Sequence, residues 1–247
     1  MSEKKIALVT GANKGIGFET ARQLAQEGIT VLLGARDERR GAEAAATLRD
    51  EGLDARFLLL DLNDETTHES AAEFIEAAFG RLDILVNNAA VNLEYSEGEE
   101  VKPASQTPLD IYRQTFETNF FALISVTRKL LPLIKKSAAG RIVNLSSTLA
   151  SNTLHSDPNS FFYNTKIPAY DASKTSVNSF TVHLAYELKD TPIKVNAADP
   201  GWVKTDMGGE DALLEVEEGA KTPVALATLP DNGFTGKYVH LGEELPW

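Results

Sequence analysis

The chain contains 247 residues, of which 43% are hydrophobic, and its formal net charge is −12. This length and composition allow one full core, and α/β folds reach this size as a single domain. The acidic balance argues against nucleic acid or an anionic membrane as a general partner. The sequence has no cysteine, which excludes disulfides, thiolate catalysis and cysteine-ligated zinc. Its four histidines lack ligand spacing, so we predict no metal site.

The apolar runs of the sequence are short and strand-like, and none reaches the length that a membrane span requires. The first residues, MSEKKIALVT, show no signal-peptide pattern. We therefore expect a cytoplasmic protein without a membrane partner. Acidic residues cluster at 94–100 and 210–218, and both clusters indicate solvated surface.

A short apolar run at 6–10 predicts the first strand, and a glycine-rich turn follows it. A helical pattern then continues to Gly28. Glycines let backbone N–H groups approach a pyrophosphate, and a helix N-terminus adds partial positive charge. The spacing G-x-x-x-G-x-G is not the G-x-G-x-x-G fingerprint. The flanking strand and helix nevertheless indicate a nucleotide-phosphate cradle.

The second predicted strand, 30–35, ends at Arg36. In dinucleotide folds an acidic residue at this point binds the ribose 2′-OH, whereas an arginine accepts a 2′-phosphate. Lys14 of the glycine-rich turn is close enough in this arrangement to reach the same phosphate. Arg39 and Arg40 begin a polar helix, and we expect them to be solvated. Arg36 and Lys14 therefore favour NADP over NAD.

The third predicted strand, 56–62, carries Asp61 near its end. This carboxylate either bonds the adenine amino group or caps the following helix. The fourth predicted strand, 82–86, ends in an Asn-Asn-Ala-Ala segment. Strands alternate with helical patterns through this half, which predicts a parallel, doubly wound sheet with helices on both faces. No linker or repeat interrupts the chain, so residues 1–247 are predicted to form one domain.

A long amphipathic helix is predicted over 108–136, starting after Pro108 and bending or ending around Pro132. Asn119 lies in its middle, where asparagine is unfavourable. The fifth strand, 141–145, ends at a pair of serines, and the sixth, 194–198, leads into a polar segment. Open α/β sheets bind ligands at the carboxyl ends of their strands. The polar strand ends therefore predict a binding site.

Tyr170 and Lys174 lie four residues apart, so they share one helix face. An ammonium at that distance lowers the pKa of the phenol from about 10, which suits proton transfer. The alternative is a half-buried tyrosine beside a lysine whose stem packs on apolar surface. The polar strand ends upstream favour the catalytic interpretation.

Together these motifs resemble the short-chain dehydrogenase/reductase family, nearest its carbonyl-reductase branch. The matching pieces are TGANKGIG at 10–17, NNA at 87–89, Asn119, Ser147, Tyr170-x-x-x-Lys174 and PGWVKT at 200–205. The resemblance implies a single-domain Rossmann-type fold and an NADPH-dependent reductase that transfers hydride to an aldehyde, ketone or quinone. Ala90 departs from the family's usual glycine, so we expect a slightly altered turn.

The resemblance also implies roles for particular side chains. Ser147 would bind the substrate carbonyl oxygen, and Tyr170 would protonate it as the general acid. Lys174 would bond the nicotinamide ribose, and Asn119 would hold a water that relays protons. Thr205 would bond the nicotinamide carboxamide. The implied cofactor-binding residues are Gly11, Asn13, Lys14, Gly15, Ile16, Gly17, Arg36, Asp61, Leu62, Asn88, Ala89, Tyr170, Lys174, Pro200, Gly201, Val203 and Thr205.

Two other functions stay open at this point. One is an NAD-linked alcohol or hydroxysteroid-type dehydrogenase of the same fold, and the other is a dinucleotide-sensing protein without turnover. The intact catalytic set argues against the second. The partner is a small-molecule carbonyl or alcohol, and its pocket is expected from the loops 91–107, 148–169 and 206–222.

The connection 148–169 is longer than in the family's commonest members and carries Phe161, Phe162 and Tyr163. Clustered apolar side chains on a protein surface mark contacts. This segment either folds back over the surface that relatives use to associate, or forms a contact of its own in a two-fold dimer. We favour the first interpretation and predict a monomer.

Overall fold

The structure is a computed structural model that describes residues 4–95 and 100–247. Its central feature is an eight-stranded sheet of order β3-β2-β1-β4-β5-β6-β7-β8, in which only β8 runs antiparallel to its neighbour. The predicted doubly wound parallel sheet is therefore confirmed. The strands are β1 (Ile6–Thr10), β2 (Thr30–Ala35), β3 (Ala55–Leu59), β4 (Ile84–Asn87), β5 (Arg141–Leu145), β6 (Lys194–Ala198), β7 (Tyr238–His240) and β8 (Glu243–Glu244).

Helices cover both faces of the sheet because successive side chains of a strand point to opposite faces. In β1, Ala7 and Val9 belong to one buried cluster, whereas Ile6 and Leu8 belong to another. The first cluster includes side chains of α1, α2 and α9, and the second includes side chains of α3, α5 and α7. The helices are α1 (Gly15–Gln26), α2 (Glu38–Asp50), α3 (Glu65–Phe79), α4 (Leu109–Phe116), α5 (Ala122–Ile134), α6 (Asn152–Ser156), α7 (Pro168–Glu187), α8 (Val216–Gly219) and α9 (Lys221–Ala227).

The predicted bounds of β1, β2, β5 and β6 agree with the observed bounds. The third begins one residue earlier than predicted and ends three residues sooner, and the fourth is shifted towards its carboxyl end by one to two residues. The strands β7 and β8 were not predicted, since two or three residues are too few to show a periodicity.

The predicted long helix begins after Pro108, as expected, but its interruption lies elsewhere. The backbone forms a π-helix over Glu117–Phe121, and α5 then continues through Pro132 and ends at Ile134. The end of the helix near Pro132 agrees with the prediction, whereas the π-helix was not predicted. A single π-turn inside a helix often marks a functional position, and this one contains Asn119.

Two expectations concerned loops. Ala90 does not adopt a left-handed backbone: among the described non-glycine residues, a positive φ is found at Leu241. Phe161 is 81% exposed, whereas the same segment contacts α7 through His155, whose Nε2 lies 3.4 Å from the Asp171 carboxylate. Both interpretations of the segment stay open, and the monomer stays a prediction.

Within residues 4–95 and 100–247 no helix combines the length and the apolar character that crossing a bilayer requires. The same residues contain no group of three or more histidine, aspartate or glutamate side chains placed to hold a metal ion. Part of the acidic 94–100 cluster and of the predicted pocket loop, residues 96–99, lies outside the described residues.

Candidate active site

The glycine-rich turn between β1 and α1 has the backbone that the sequence predicted. Gly11 and Gly15 adopt φ values of +64° and +57°, which side chains other than glycine rarely tolerate. A Cβ on Gly17 would lie 2.6 Å from the carbonyl oxygen of Gly11, so this position has no room for one. Lys14, the N-cap residue of α1, carries an ammonium and so has no side-chain acceptor for the first N–H groups of the helix. These donors suit a phosphate.

The segment after β4 braces this turn. The Asn88 side chain donates to the carbonyl oxygens of Thr10 at 2.8 Å and Gly11 at 3.3 Å. The backbone N–H groups of Asn88 and Ala89 both donate to the Thr10 hydroxyl at 3.0 Å. Ile16, also in the predicted set, packs against the core. These contacts hold the turn in place, and direct cofactor contacts by Asn88, Ala89 and Ile16 stay predictions.

A surface cavity of about 500 Å³ opens beside the turn. Arg40, which is exposed as expected, lines it together with Lys14. Lys14 forms an ion pair with Asp206 across this cavity. Arg36 is exposed directly after β2. The lining residues are Asn13, Lys14, Phe18, Arg40, Glu43, Ala44, Thr47 and Asp206.

Asp61 does not cap the helix that follows it. Its carboxylate accepts a hydrogen bond from the Asn63 N–H at 3.0 Å, whereas the N-cap of α3 is Asp64. The capping alternative is therefore wrong, and the adenine contact stays a prediction. Leu62 packs against the hydrophobic cluster on the α3 side of the sheet.

The segment after β6 lies against the glycine-rich turn. The Thr205 methyl group is 3.4 Å from the place where a Cβ of Gly15 would be. Gly201 has a φ of +80°, and Val203, which is buried, forms a β-bridge to Leu214. Pro200 is half-buried beside them. The structure thus brings together predicted cofactor residues from the two halves of the chain.

Helix α7 carries Tyr170 and Lys174 and packs against β6 and the turn at 148–150. The Lys174 ammonium is buried, donates to the Leu145 carbonyl at 2.7 Å and lies 5.8 Å from the Tyr170 ring centroid. Burial lowers the pKa of Lys174 to about 8. Burial also raises the pKa of Tyr170, and a hydrogen bond with the Ser147 side chain only partly offsets this. The expected lowering of the tyrosine pKa is therefore wrong, because desolvation dominates.

Ser147 is placed by contacts to its hydroxyl and to its carbonyl. Its hydroxyl oxygen accepts from the Leu149 N–H at 3.2 Å, which leaves the hydroxyl proton for another acceptor. Its carbonyl oxygen accepts from the Tyr238 hydroxyl of β7. The neighbouring Ser146 is buried and donates to the Asn178 side chain at 2.6 Å, which indicates a structural role.

Asn119 is held by the π-helix with its amide facing the loop after β4. Its side chain accepts from the Val91 N–H at 2.8 Å and donates to the Val91 carbonyl at 2.9 Å. It also donates to the Ser173 hydroxyl at 3.0 Å. These contacts fix the loop and α7 relative to each other. The water relay to Lys174 stays a prediction.

Sequence reasoning missed a polar pair at the ends of β6 and β7. The buried Asp199 accepts from the backbone N–H and the hydroxyl of Thr148 at 2.8 and 2.7 Å, next to Ser147. His240 Nδ1 lies 3.0 Å from Asp199 Oδ2, the oxygen that also accepts from the Thr148 hydroxyl, and this hydrogen bond raises the pKa of His240. The pair could not be found earlier because β7 was not predicted.

Two acidic residues lie at the start of α7. Glu94, which we expected on a solvated surface, instead accepts hydrogen bonds from the backbone of this helix. Asp171 accepts from the Ile167 N–H at 2.9 Å, and burial raises its pKa from 3.8 to about 7, with the charge of Glu94 contributing.

The raised pKa of Asp171 predicts a pH-dependent stability. The folded chain binds the proton more tightly than the unfolded chain, so this group's contribution is fully present below about pH 4 and is lost as the pH rises to about 7. Between pH 4 and pH 8, the free energy of unfolding of Asp171→Asn should become more favourable to the folded state, relative to that of the unmodified chain, by about 1–3 kcal/mol. Urea unfolding of both proteins at the two pH values measures this, and parallel pH dependences would contradict it.

The chain is similar in sequence and structure to known proteins of one family. Residues 5–213 match the short chain dehydrogenase family. The chain is 36% identical to carbonyl reductase (NADPH) 1 of Mus musculus, over 100% of this chain and 99% of the relative. It is 38% identical to (+)-neomenthol dehydrogenase of Arabidopsis thaliana, over 92% of each chain. The solved structure of salutaridine reductase from Papaver somniferum has a TM-score of 0.80 at 33% identity, covering 94% of this chain and 98% of that one.

The chain therefore belongs to the short chain dehydrogenase family, which confirms the resemblance drawn from its motifs. The prediction of a carbonyl-reductase-like oxidoreductase that acts on carbonyl or CH–OH groups is likewise confirmed.

Proposed function

We propose that the protein is an NADPH-dependent reductase of an aldehyde, ketone or quinone, with Tyr170 as the general acid. The observation that carries the proposal is the convergence of three side chains: the Lys174 ammonium lies 5.8 Å from the Tyr170 ring centroid, and the Ser147 side chain is near enough to the phenol to lower its pKa. Two hydroxyl groups that converge in this way can share one carbonyl oxygen.

The cofactor assignment rests on the cationic residues around the glycine-rich turn. Lys14 and Arg40 line the cavity beside it, and Arg36 follows β2 at the position where dinucleotide folds recognise the ribose. The mouse relative is named for NADPH. The residues present therefore suit a 2′-phosphate, and the glycine-rich turn suits the pyrophosphate.

The bound nicotinamide would supply a hydride to the carbonyl carbon. As charge develops on the carbonyl oxygen, Ser147 donates its hydroxyl proton in a hydrogen bond and Tyr170 transfers its phenolic proton. Burial raises the pKa of Tyr170, so the phenol is protonated at neutral pH but is a weaker acid, and its proton transfer depends on the charge of the Lys174 ammonium beside the ring. The positive charge of Lys174, adjacent to the ring, would stabilise the phenolate that results.

A substrate panel tests the proposal. Aldehydes, ketones, quinones and hydroxysteroids are each assayed with NADPH and NADH in parallel, and we expect NADPH-dependent turnover of at least one carbonyl compound. Oxidation of an alcohol with NAD as the preferred cofactor would favour the dehydrogenase alternative. Tight dinucleotide binding without any turnover would favour the sensing alternative.

A further inference from the structure

The carboxylate of Glu94 binds the backbone of the catalytic helix directly. One oxygen accepts from the Ala169 N–H at 3.1 Å, and the other accepts from the Tyr170 N–H at 2.8 Å. Ala169 and Tyr170 lie 75 and 76 positions after Glu94 in the sequence, so the contact joins two distant segments. Glu94 is itself half-buried.

The start of α7 needs such a partner. The first N–H groups of a helix have no intrahelical acceptor, and the N-cap residue here, Ile167, has no side-chain oxygen. A carboxylate satisfies these donors and also suits the positive end of the helix dipole. The Asp171 carboxylate of the same helix accepts from the Ile167 N–H and from neither of the two amides that Glu94 binds. The amides of Ala169 and Tyr170 therefore depend on Glu94.

The carbonyl side of Tyr170 is held as well. The Ser173 hydroxyl donates to the Tyr170 carbonyl at 2.7 Å and accepts from the Asn119 amide at 3.0 Å. The same amide bonds both backbone groups of Val91, three residues before Glu94. These hydrogen bonds, together with the covalent backbone from Val91 to Glu94, form a closed circuit from Asn119 through Glu94 to Tyr170 and back through Ser173.

We propose that Glu94 is a positioning residue for Tyr170, which it holds by the backbone so that the phenol faces the substrate carbonyl. The inference rests on the proposed function, because it concerns the geometry of that proton transfer. Small misplacements of a reacting group slow a reaction strongly. The charge of Glu94 suits this task, because two N–H donors are satisfied by one carboxylate and a neutral amide offers only one acceptor oxygen.

The test compares Glu94→Gln with Glu73→Gln, which removes the same charge from an exposed position of α3. We expect Glu94→Gln to lower kcat about tenfold, to leave the Kd for NADPH within twofold, and to increase the isotope effect with 4-deuterated NADPH. Glu94→Asp keeps the charge, and we expect it to recover part of the lost rate. Glu73→Gln should change none of these quantities.

Hydrogen exchange supplies a second measurement that does not depend on turnover. The Ala169 and Tyr170 amides should exchange faster in Glu94→Gln than in the unmodified chain. Unchanged exchange would overturn the contact itself. Faster exchange with unchanged kcat and isotope effect would overturn the positioning role and leave Glu94 as a purely structural cap. Turnover absent from the unmodified chain would instead overturn the proposed function, and with it any catalytic meaning of the contact.

Discussion

Replacing Tyr170 by phenylalanine is expected to remove almost all carbonyl reduction, with kcat falling by about 10² to 10⁴-fold. The phenol supplies the proton to the substrate oxygen, and phenylalanine has none to give. The Kd for NADPH should stay within a few-fold, because the deleted hydroxyl acts on the substrate. Absorbance of NADPH measures the rate, and quenching of tryptophan fluorescence measures the binding.

Tyr186→Phe is the matched control, since it removes the same atom from an exposed tyrosine of the same helix. This variant should retain full activity. Lys174→Ala should differ from both, because it removes a charge beside the ring and leaves the Leu145 carbonyl without that donor. We expect it to impair turnover and cofactor binding together. The mechanism would be withdrawn if Tyr170→Phe kept most of its activity.

NADPH is expected to bind about 10- to 150-fold more tightly than NADH, and Arg36→Asp should abolish or reverse this preference. A charge-assisted hydrogen bond to a phosphate is worth about 1.5–3 kcal/mol, which corresponds to that ratio. An aspartate at this position would repel the 2′-phosphate and accept a hydrogen bond from the ribose hydroxyl of NADH. Titrations of both cofactors against both proteins measure the effect.

Arg39→Asp makes the same charge change three residues later, where the arginine is exposed and pairs with Glu43 at 2.9 Å. Its preference should stay within a few-fold of the unmodified chain, which separates a specific contact from a general charge effect. Equal affinities of the unmodified protein for NADPH and NADH would contradict the assignment of Arg36.

The parts of the molecule that could be predicted are those with a local pattern. Apolar runs defined β1, β2, β5 and β6, and the glycine spacing defined the phosphate cradle between β1 and α1. The helix that carries Tyr170 and Lys174 was predicted from their spacing. Asn119 was marked by its poor helix propensity, and the structure shows a π-helix there.

The parts that could not be predicted depend on tertiary contacts. Nothing in the sequence shows the desolvation of the Tyr170 phenol, so the ammonium was expected to dominate a pKa that desolvation controls. The contact of Glu94 with α7 joins residues 75 or more positions apart. A cluster of acidic residues is usually solvated, so the sequence did not indicate this contact. The cavity that Arg40 lines is likewise formed by residues of two separate segments, the glycine-rich turn and α2.

The order of the strands has a consequence for how the chain acquires its structure during synthesis. Strand β1 lies between β2 and β4, so one of its edges has a partner early while the other waits until Ile84–Asn87 has been made. Pairing at such sequence distances slows folding and leaves strand edges exposed in the meantime. Tyr238 of β7 bonds the carbonyl of Ser147. A nascent chain that has not yet reached β7 therefore contains Ser147, Tyr170 and Lys174 but lacks this contact to the serine.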